Sequence, residues 1–357
     1  MRKKKRKNRS KYFIIILVLL LGAIYFIKTL NVEKKYEIVQ TIKIDGEKYS
    51  HGVIGNNIIV LEDNTLKIYI NEETYSYSIP GVLQDPWIIS AGECVHVADK
   101  KNGKVYIFNE KAELINRKAL TDSRIISIKS DDNSGYIGIH SADENEIEQL
   151  MFLDNSGEEA GRIKGLKDGK IIDFAFDSDS NKVAVAVLSY EQGIKSNIFF
   201  TGINGSIQGG KILNDEIISK IFWTKDGDLL CIGDKRILKL SKNKEIIWEN
   251  KIIADRAEYS SIAEGLLISI NNIGKTDIKL LNKDNQFLME ASVEGSIESS
   301  IAKDKGMLLY GKRTLFLIKN NTIEIHKLSK DIYWADILSN GNIVIGLRDR
   351  IEILKML

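Results

Sequence analysis

The sequence predicts an all-β fold, a β-propeller of four-stranded blades, and three observations predict it. Short apolar runs rich in Ile, Val, Tyr and Phe are broken every few residues by Gly, Asn, Asp or Lys, the pattern of strands and turns and not of helices. The pattern repeats with unit starts near residues 51, 85, 123, 170, 216, 256, 297 and 331, a spacing of about 40, which is the period of a propeller blade. The last unit holds only three strands, IYWADIL, NIVIGL and IEILKML, while an isolated strand, YEIVQTIKI at 36–44, precedes the first. That orphan strand completes the open unit, so eight blades close into a ring without free edges. A misdivided first unit would leave seven.

Taken from the start, residues 1–28 hold nine Lys/Arg and no acid. Within them YFIIILVLLLGAIYFI, at 12–27, is uninterrupted and apolar between Lys11 and Lys28. A helix of this length rises about 24 Å, short of the roughly 30 Å hydrocarbon core, and snorkelling of Lys11 and Lys28 closes the gap. The excess of basic residues ahead of the run predicts a single transmembrane signal anchor over 12–30, with a basic cytoplasmic tail at 1–11 and the body at 36–357 extracytoplasmic. A cleaved signal peptide shares the same layout, but IYFIKTLNVEKK supplies no small-residue cleavage pair.

The body follows as eight units. The first carries NIIVL, LKIYI and TYSYSI; the second PWIIS, CVHVA and KVYIFN; the third RIISIKS, YIGIHS and EQLMFLD; the fourth KIIDFAF, VAVAVLS and NIFFTG. The fifth, IISKIFWTKDGDLLCIGDKRILKLSKNKEIIWENK at 217–251, is the clearest copy, with four runs and three polar turns. The sixth holds LLISI and DIKLLN, the seventh MLLYG and LFLIK. Runs such as VAVAVL are apolar at consecutive positions, as expected of sheets buried on both faces by neighbouring blades. A single four-stranded meander cannot bury both faces alone, so each unit needs its neighbours.

The whole chain has a net charge of +2, but removing the nine basic residues of 1–28 leaves 42 basic against 49 acidic, a balance of −7. A slightly acidic body has no general attraction for phosphate backbones, which excludes nucleic acid as a partner class. Cys94 and Cys231 sit in apolar runs of different units and are expected as small buried residues, not a disulfide. Only Pro80 and Pro86 occur, and no linker divides the body.

FAFDSDSNKVAVAV and FWTKDGDLLCIG resemble the repeat of periplasmic Tol-type propellers, an aromatic followed by an Asp/Gly/Asn turn and an apolar strand. KNKEIIWE is similar to the last hairpin of quinoprotein-like blades, whose Trp packs between blades. The whole plan resembles a family of membrane-anchored propellers of clostridia and related Gram-positive bacteria. The resemblance implies a fold and a location and supplies no reaction.

Chemistry-bearing motifs are sparse. Asp177, Asp179 and Asn181 open like a calcium loop, but the Gly is missing and Leu188 stands where the last ligand should be, so DSDSN reads as a turn. His51, His96, His140 and His326 lie in four units without metal-ligand spacing. No residue is assigned a catalytic, metal-binding or cofactor-binding role, and no cofactor is expected. Trp87, Trp223, Trp248 and Trp334 suit the wedges between blades, and Trp87 and Trp334 are also the best aromatic anchors for a partner. The runs ADENEIE at 142–148 and YEQGIKS at 190–196 lengthen equivalent connections on neighbouring units, placing Glu144, Glu146, Tyr190 and Gln192 on one face as a binding surface. These features predict a non-enzymatic scaffold at the cell membrane, binding the lipid bilayer through 12–30 and an envelope protein or peptide through the propeller. A degenerate hydrolase or lyase of wall polysaccharide and a small-ligand sensor are the alternatives.

Overall fold

The computed structural model describes residues 36–357 apart from 46–48, 121–122, 132–134, 165–168, 178–180, 192, 261–263 and 304. The tail 1–11, the anchor 12–30 with Lys11 and Lys28, and Gln192 lie outside the described residues. Among the described residues no helix is long and apolar enough to cross a membrane.

The body is an eight-bladed propeller, each blade an antiparallel sheet of four strands. The first strands, from blade 1 to blade 8, are Tyr49–Ile54, Pro86–Ala91, Ser123–Ser130, Lys170–Asp177, Ile218–Trp223, Arg256–Ser260, Ser299–Lys303 and Trp334–Ile337. Consecutive first strands pack against one another and so line the axis, while each fourth strand lies at the rim. In blade 8 the fourth strand is Tyr36–Lys43, which runs antiparallel to Arg350–Met356 and pairs Tyr36 with Met356 and Lys43 with Arg350. The first and last strands of the propeller are thereby fastened into one sheet.

Burial explains the consecutive apolar runs. The core is divided into clusters that each span two adjacent blades: Leu150 and Phe152 of blade 3 with Phe174 and Val185 of blade 4, or Leu267 and Leu280 of blade 6 with Leu309 and Phe316 of blade 7. Second and third strands contribute residues to the clusters on both sides, so strands such as Cys94–Asp99 and Leu229–Gly233 are buried at every position. Cys94 and Cys231 fall in two such clusters, unbonded and far apart, and burial raises both thiols above the usual cysteine range.

The alternating strand direction gives the disc two chemically distinct faces. One, the connector face, carries the blade-to-blade connections and the turns between second and third strands. The other, the hairpin face, carries the turns between first and second and between third and fourth strands. Bulges mark the strands unevenly: the first strands of blades 3, 4 and 5 each shift register by one residue, between Ile125 and Ser127, Ile171 and Asp173, and Ile218 and Lys220. The extra residue re-aims the following side chain, which places Asp173 and Lys220 on the channel wall.

Candidate interaction surface on the connector face

The two insertions singled out in the sequence are the turns between second and third strands of blades 3 and 4, residues 144–147 and 190–194, so both stand on the connector face. Glu144 and Glu146 line a groove of 390 Å³ whose other walls include Lys101, Asn102 and Arg124. Glu146 takes a positive φ of 58° in the tight turn and accepts a hydrogen bond from Arg124 Nη2 at 2.7 Å. Its carbonyl oxygen accepts another from Lys170 Nζ at 3.1 Å. The groove therefore spans the turn of blade 2 and the turn of blade 3, with one exposed ion pair across it.

Beneath that pair sits a residue the sequence did not reveal. Glu148, the last of the ADENEIE run, is buried and holds three partners: His140 Nε2 at 3.1 Å, Lys170 Nζ at 3.3 Å and the Ile171 backbone N–H at 2.7 Å. Burial holds the His140 imidazole below its usual value, with the carboxylate of Glu148 opposing it. A carboxylate this deep needs such partners to offset the loss of its hydration. It ties blade 3 to the first strand of blade 4 and fixes the base of the insertion. The signal was present as the Glu that ends the insert, but its partners lie at 140 and at 170–171, and only the fold brings them together.

The second insertion borders a cavity of 460 Å³ on blade 4, lined by Glu191, Lys195, Asn197, Phe199 and Ile212 among others. Tyr190 is exposed at its turn, next to exposed Ile194, whose carbonyl accepts from Asp215 N at 2.8 Å. Glu144 and Glu146 thus share one groove while Tyr190 belongs to the next blade.

The tryptophans divide. Trp223 Nε1 donates to Ala175 O at 3.0 Å, Trp248 Nε1 to Lys283 O at 2.9 Å, and Trp334 Nε1 to the Tyr49 hydroxyl at 3.0 Å, each across a blade seam. Trp334 is 4% exposed and lies stacked on His51 at 3.9 Å and 4°, so its ring is interior packing and leaves no surface for a partner. Gly346 makes that packing possible, because a Cβ there would fall 1.8 Å from the indole nitrogen. Trp87 is different: it is 41% exposed at the connector-face end of its first strand, and Lys100 Nζ lies 5.0 Å from its ring centroid. The same end of the next first strand presents Arg124, and Arg256 and Tyr333 are exposed at the corresponding ends of later ones.

Along the channel the charged groups are used in pairs. Lys129 of blade 3 meets Asp173 of blade 4 at 2.6 Å, Lys220 of blade 5 meets Glu258 of blade 6 at 2.8 Å, and Lys303 of blade 7 meets Asp336 of blade 8 at 2.8 Å. Between blades 1 and 2 hydroxyls take over: Ser50 Oγ donates to Pro86 O and Ser90 Oγ to Val53 O, both at 2.9 Å. Among the described residues no group of three or more His, Cys, Asp or Glu side chains is placed to hold a metal ion.

The model of a family of unknown function, DUF5711, matches residues 29–356. Among solved structures the chain is similar to the C-terminal WD40 domain of Sif2, with a TM-score of 0.65 and 14% identity over 91% of this chain and 99% of that one. It is also similar to BamB from Moraxella catarrhalis, with a TM-score of 0.60 and 8% identity over 90% of this chain and all of that one. A chain of the mitotic checkpoint complex gives 0.54, at 10% identity over 78% of this chain and 89% of that one. Likeness at these identities is likeness of fold. Over 148 residues, 39% of this chain, the sequence is 28% identical to the probable septum site-determining protein MinC of Helicobacter pylori strain J99, covering 69% of that protein.

Proposed function

We propose that this chain, which belongs to the DUF5711 family, is a membrane-anchored extracytoplasmic scaffold without catalytic activity, whose connector face binds an envelope protein or peptide. The observation that carries the reading is the division of polar groups between channel and face. In the channel Lys129, Lys220 and Lys303 are each matched by a carboxylate of the next blade, which stitches those blades together. On the connector face Trp87 is half-exposed beside a lysine, and two adjoining blades carry turns that open grooves lined by Glu144, Glu146 and Arg124 and by Glu191 and Lys195. An aromatic anchor next to polar, shape-bearing grooves suits a peptide with an apolar residue flanked by charge. A wall-polysaccharide hydrolase would instead use carboxylates and arginines free to meet a sugar, and here the channel carboxylates face lysines. One structural neighbour is a chain of a multi-protein assembly, which supports a binding role for this architecture.

The anchored half of the proposal rests on the sequence. The apolar run at 12–27 between Lys11 and Lys28, with eight basic residues before it, supports one span with the tail in the cytoplasm and the propeller outside.

A photo-crosslinking amino acid placed at Trp87 in intact cells tests the binding role, with the same group at Ser76 on the rim of blade 1 as the control. One or a few discrete adducts from Trp87 and none from Ser76, identified by mass spectrometry, is the expected result. Equal, diffuse labelling from both sites, or turnover of purified wall glycan by the full chain, would overturn it.

A further inference from the structure

The direction of the closing strand decides which face of the disc is turned to the membrane. Tyr36 pairs with Met356 at the end of the third strand of blade 8, so the chain enters the propeller at the hairpin face and runs from there toward the connector face. Only eight residues, 28–35, separate Ile27 at the end of the apolar run from Tyr36, and eight residues span at most about 28 Å. An anchor ending there holds the hairpin face of blade 8 close to the lipid.

A second observation points to the same face on the opposite side of the ring. Ile207 of blade 4, Ile246 and Ile247 of blade 5, and Phe287 and Leu288 of blade 6 are all exposed, and all lie where a fourth strand begins, just after the hairpin-face turn, as do Leu114 and Ile115 of blade 2. Strict alternation would bury one residue of each adjacent pair. The ladder shifts between Lys239 and Leu240 opposite Ile247, and between Leu280 and Leu281 opposite Leu288, so a bulge turns both members of each pair outward. Lys279 Nζ lies 5.0 Å above the Phe287 ring, an amphipathic arrangement suited to a headgroup layer.

We propose that the hairpin face lies against the bilayer, with this apolar arc of blades 4–6 and the like pair of blade 2 resting in the interfacial layer. Blade 8 and blade 4 are diametrically opposed in a ring of eight, so a tether at one and an apolar contact at the other fix the tilt of the disc. Apolar side chains at the acyl boundary are stabilised in proportion to the area they remove from water. The connector face, with Trp87 and the two grooves, is then directed away from the membrane toward partners. This orientation rests on the anchored reading given above.

Full-length protein reconstituted in phosphatidylglycerol–phosphatidylcholine vesicles that carry a headgroup-attached quencher gives the test. Single fluorophores go on Asn243→Cys, in the hairpin-face turn of blade 5, and on Glu144→Cys, on the connector face; the native Cys94 and Cys231 are buried. Quenching several-fold stronger at position 243 than at 144 is expected. Ile247→Asp with Leu288→Asp, both at exposed sites, should reduce the quenching at 243 at least twofold without changing the melting temperature. Equal or reversed quenching in protein that still floats with the vesicles overturns the orientation alone. Self-quenching between labels at 243 that rises with protein concentration in detergent free of the quencher lipid assigns the arc to a second copy and overturns the bilayer contact. Protein stripped from the vesicles by alkaline carbonate removes the anchor and the orientation with it.

Discussion

Two seams of the propeller solve the same packing problem with different chemistry. Between blades 3 and 4 an apolar cluster is crowned by a charged pair, Lys129 and Asp173, whose carboxylate also accepts from Ile221 N of blade 5 at 3.0 Å. Between blades 8 and 1 no such pair stands on the wall among the described residues; Trp334 stacks on His51, donates to the Tyr49 hydroxyl, and that hydroxyl donates to Leu347 O at 2.9 Å. The first seam joins blades that follow one another in the chain, where a short connection already holds the partners near each other. The second joins residues nearly 300 positions apart and must be specified by shape and by fixed hydrogen bonds, which salt does not screen. Of these two seams, the one that connectivity aligns is crowned by charge, and the one that it does not is filled by a stacked, hydrogen-bonded indole.

Removing the closing strand would break the comparison most severely. Deleting Tyr36–Lys43 leaves blade 8 with three strands and exposes Ile351 and Ile353 at an open edge, so loss of the cooperative thermal transition, or aggregation on size exclusion, is expected. A variant that melts within a few degrees of the intact chain would show that the seam between blades 8 and 1 holds without it.

Trp334→Ala is next, at about 3–5 kcal/mol by denaturant titration, because a buried indole leaves a large cavity. Trp334→Phe keeps most of the stack and loses the hydrogen bond to Tyr49, so its cost should be nearer 1–2 kcal/mol. Equal losses in the two variants would mean that the hydrogen bond, not the packed area, holds the seam.

Acid probes the closing seam by another route. Burial pushes His51 and His96 down to about 4, well below the ordinary value near 6.5. The unfolded chain binds protons that the folded one refuses, so stability falls as pH drops from about 6.5 toward 4 and is fully present above that window. Between pH 7 and pH 5 each histidine should account for about 2 kcal/mol. His51→Phe should retain the stack and remove its share of the acid sensitivity; an unchanged pH profile in denaturant titrations would place the proton uptake elsewhere.

The smallest effect is expected at the charged seam. Lys129→Met leaves Asp173 with the Ile221 N–H and should cost about 1–2 kcal/mol, since the pair is partly solvated. Its cost should shrink in molar salt, whereas that of Trp334→Ala should not. Equal salt dependence in the two variants would remove the distinction between the seams.

Much of the architecture was legible from residue order alone, since the first strands begin at 49, 86, 123, 170, 218, 256, 299 and 334, within three residues of the unit starts read from turns and apolar runs. Turn chemistry and strand length are local properties, and local properties survive in a sequence. The site was less legible. Nothing adjacent to Trp87 or Trp334 distinguishes a half-exposed ring from a buried one; the difference lies in Gly346, Tyr49 and His51, which only closure of the ring brings to Trp334. The lysine–carboxylate pairs were equally hidden, because a one-residue bulge decides whether Asp173 and Lys220 face the channel, and short apolar runs do not announce a bulge. Glu148 looked like one more acid of an exposed insert until His140 and Ile171 closed around it.

Fastening the ring with the strand Tyr36–Lys43 also sets a schedule for biogenesis. That strand is the first part of the propeller to be synthesised, and its partner, Arg350–Met356, is the last, roughly 300 residues later. At about 5–20 residues per second the wait is on the order of 15–60 s. Throughout it Ile42, which closure buries against Ile351 and Ile353, and the unfilled edge of the growing array stay open to other chains, so each molecule passes through a long interval in which crowding and quality control act on it before the ring closes.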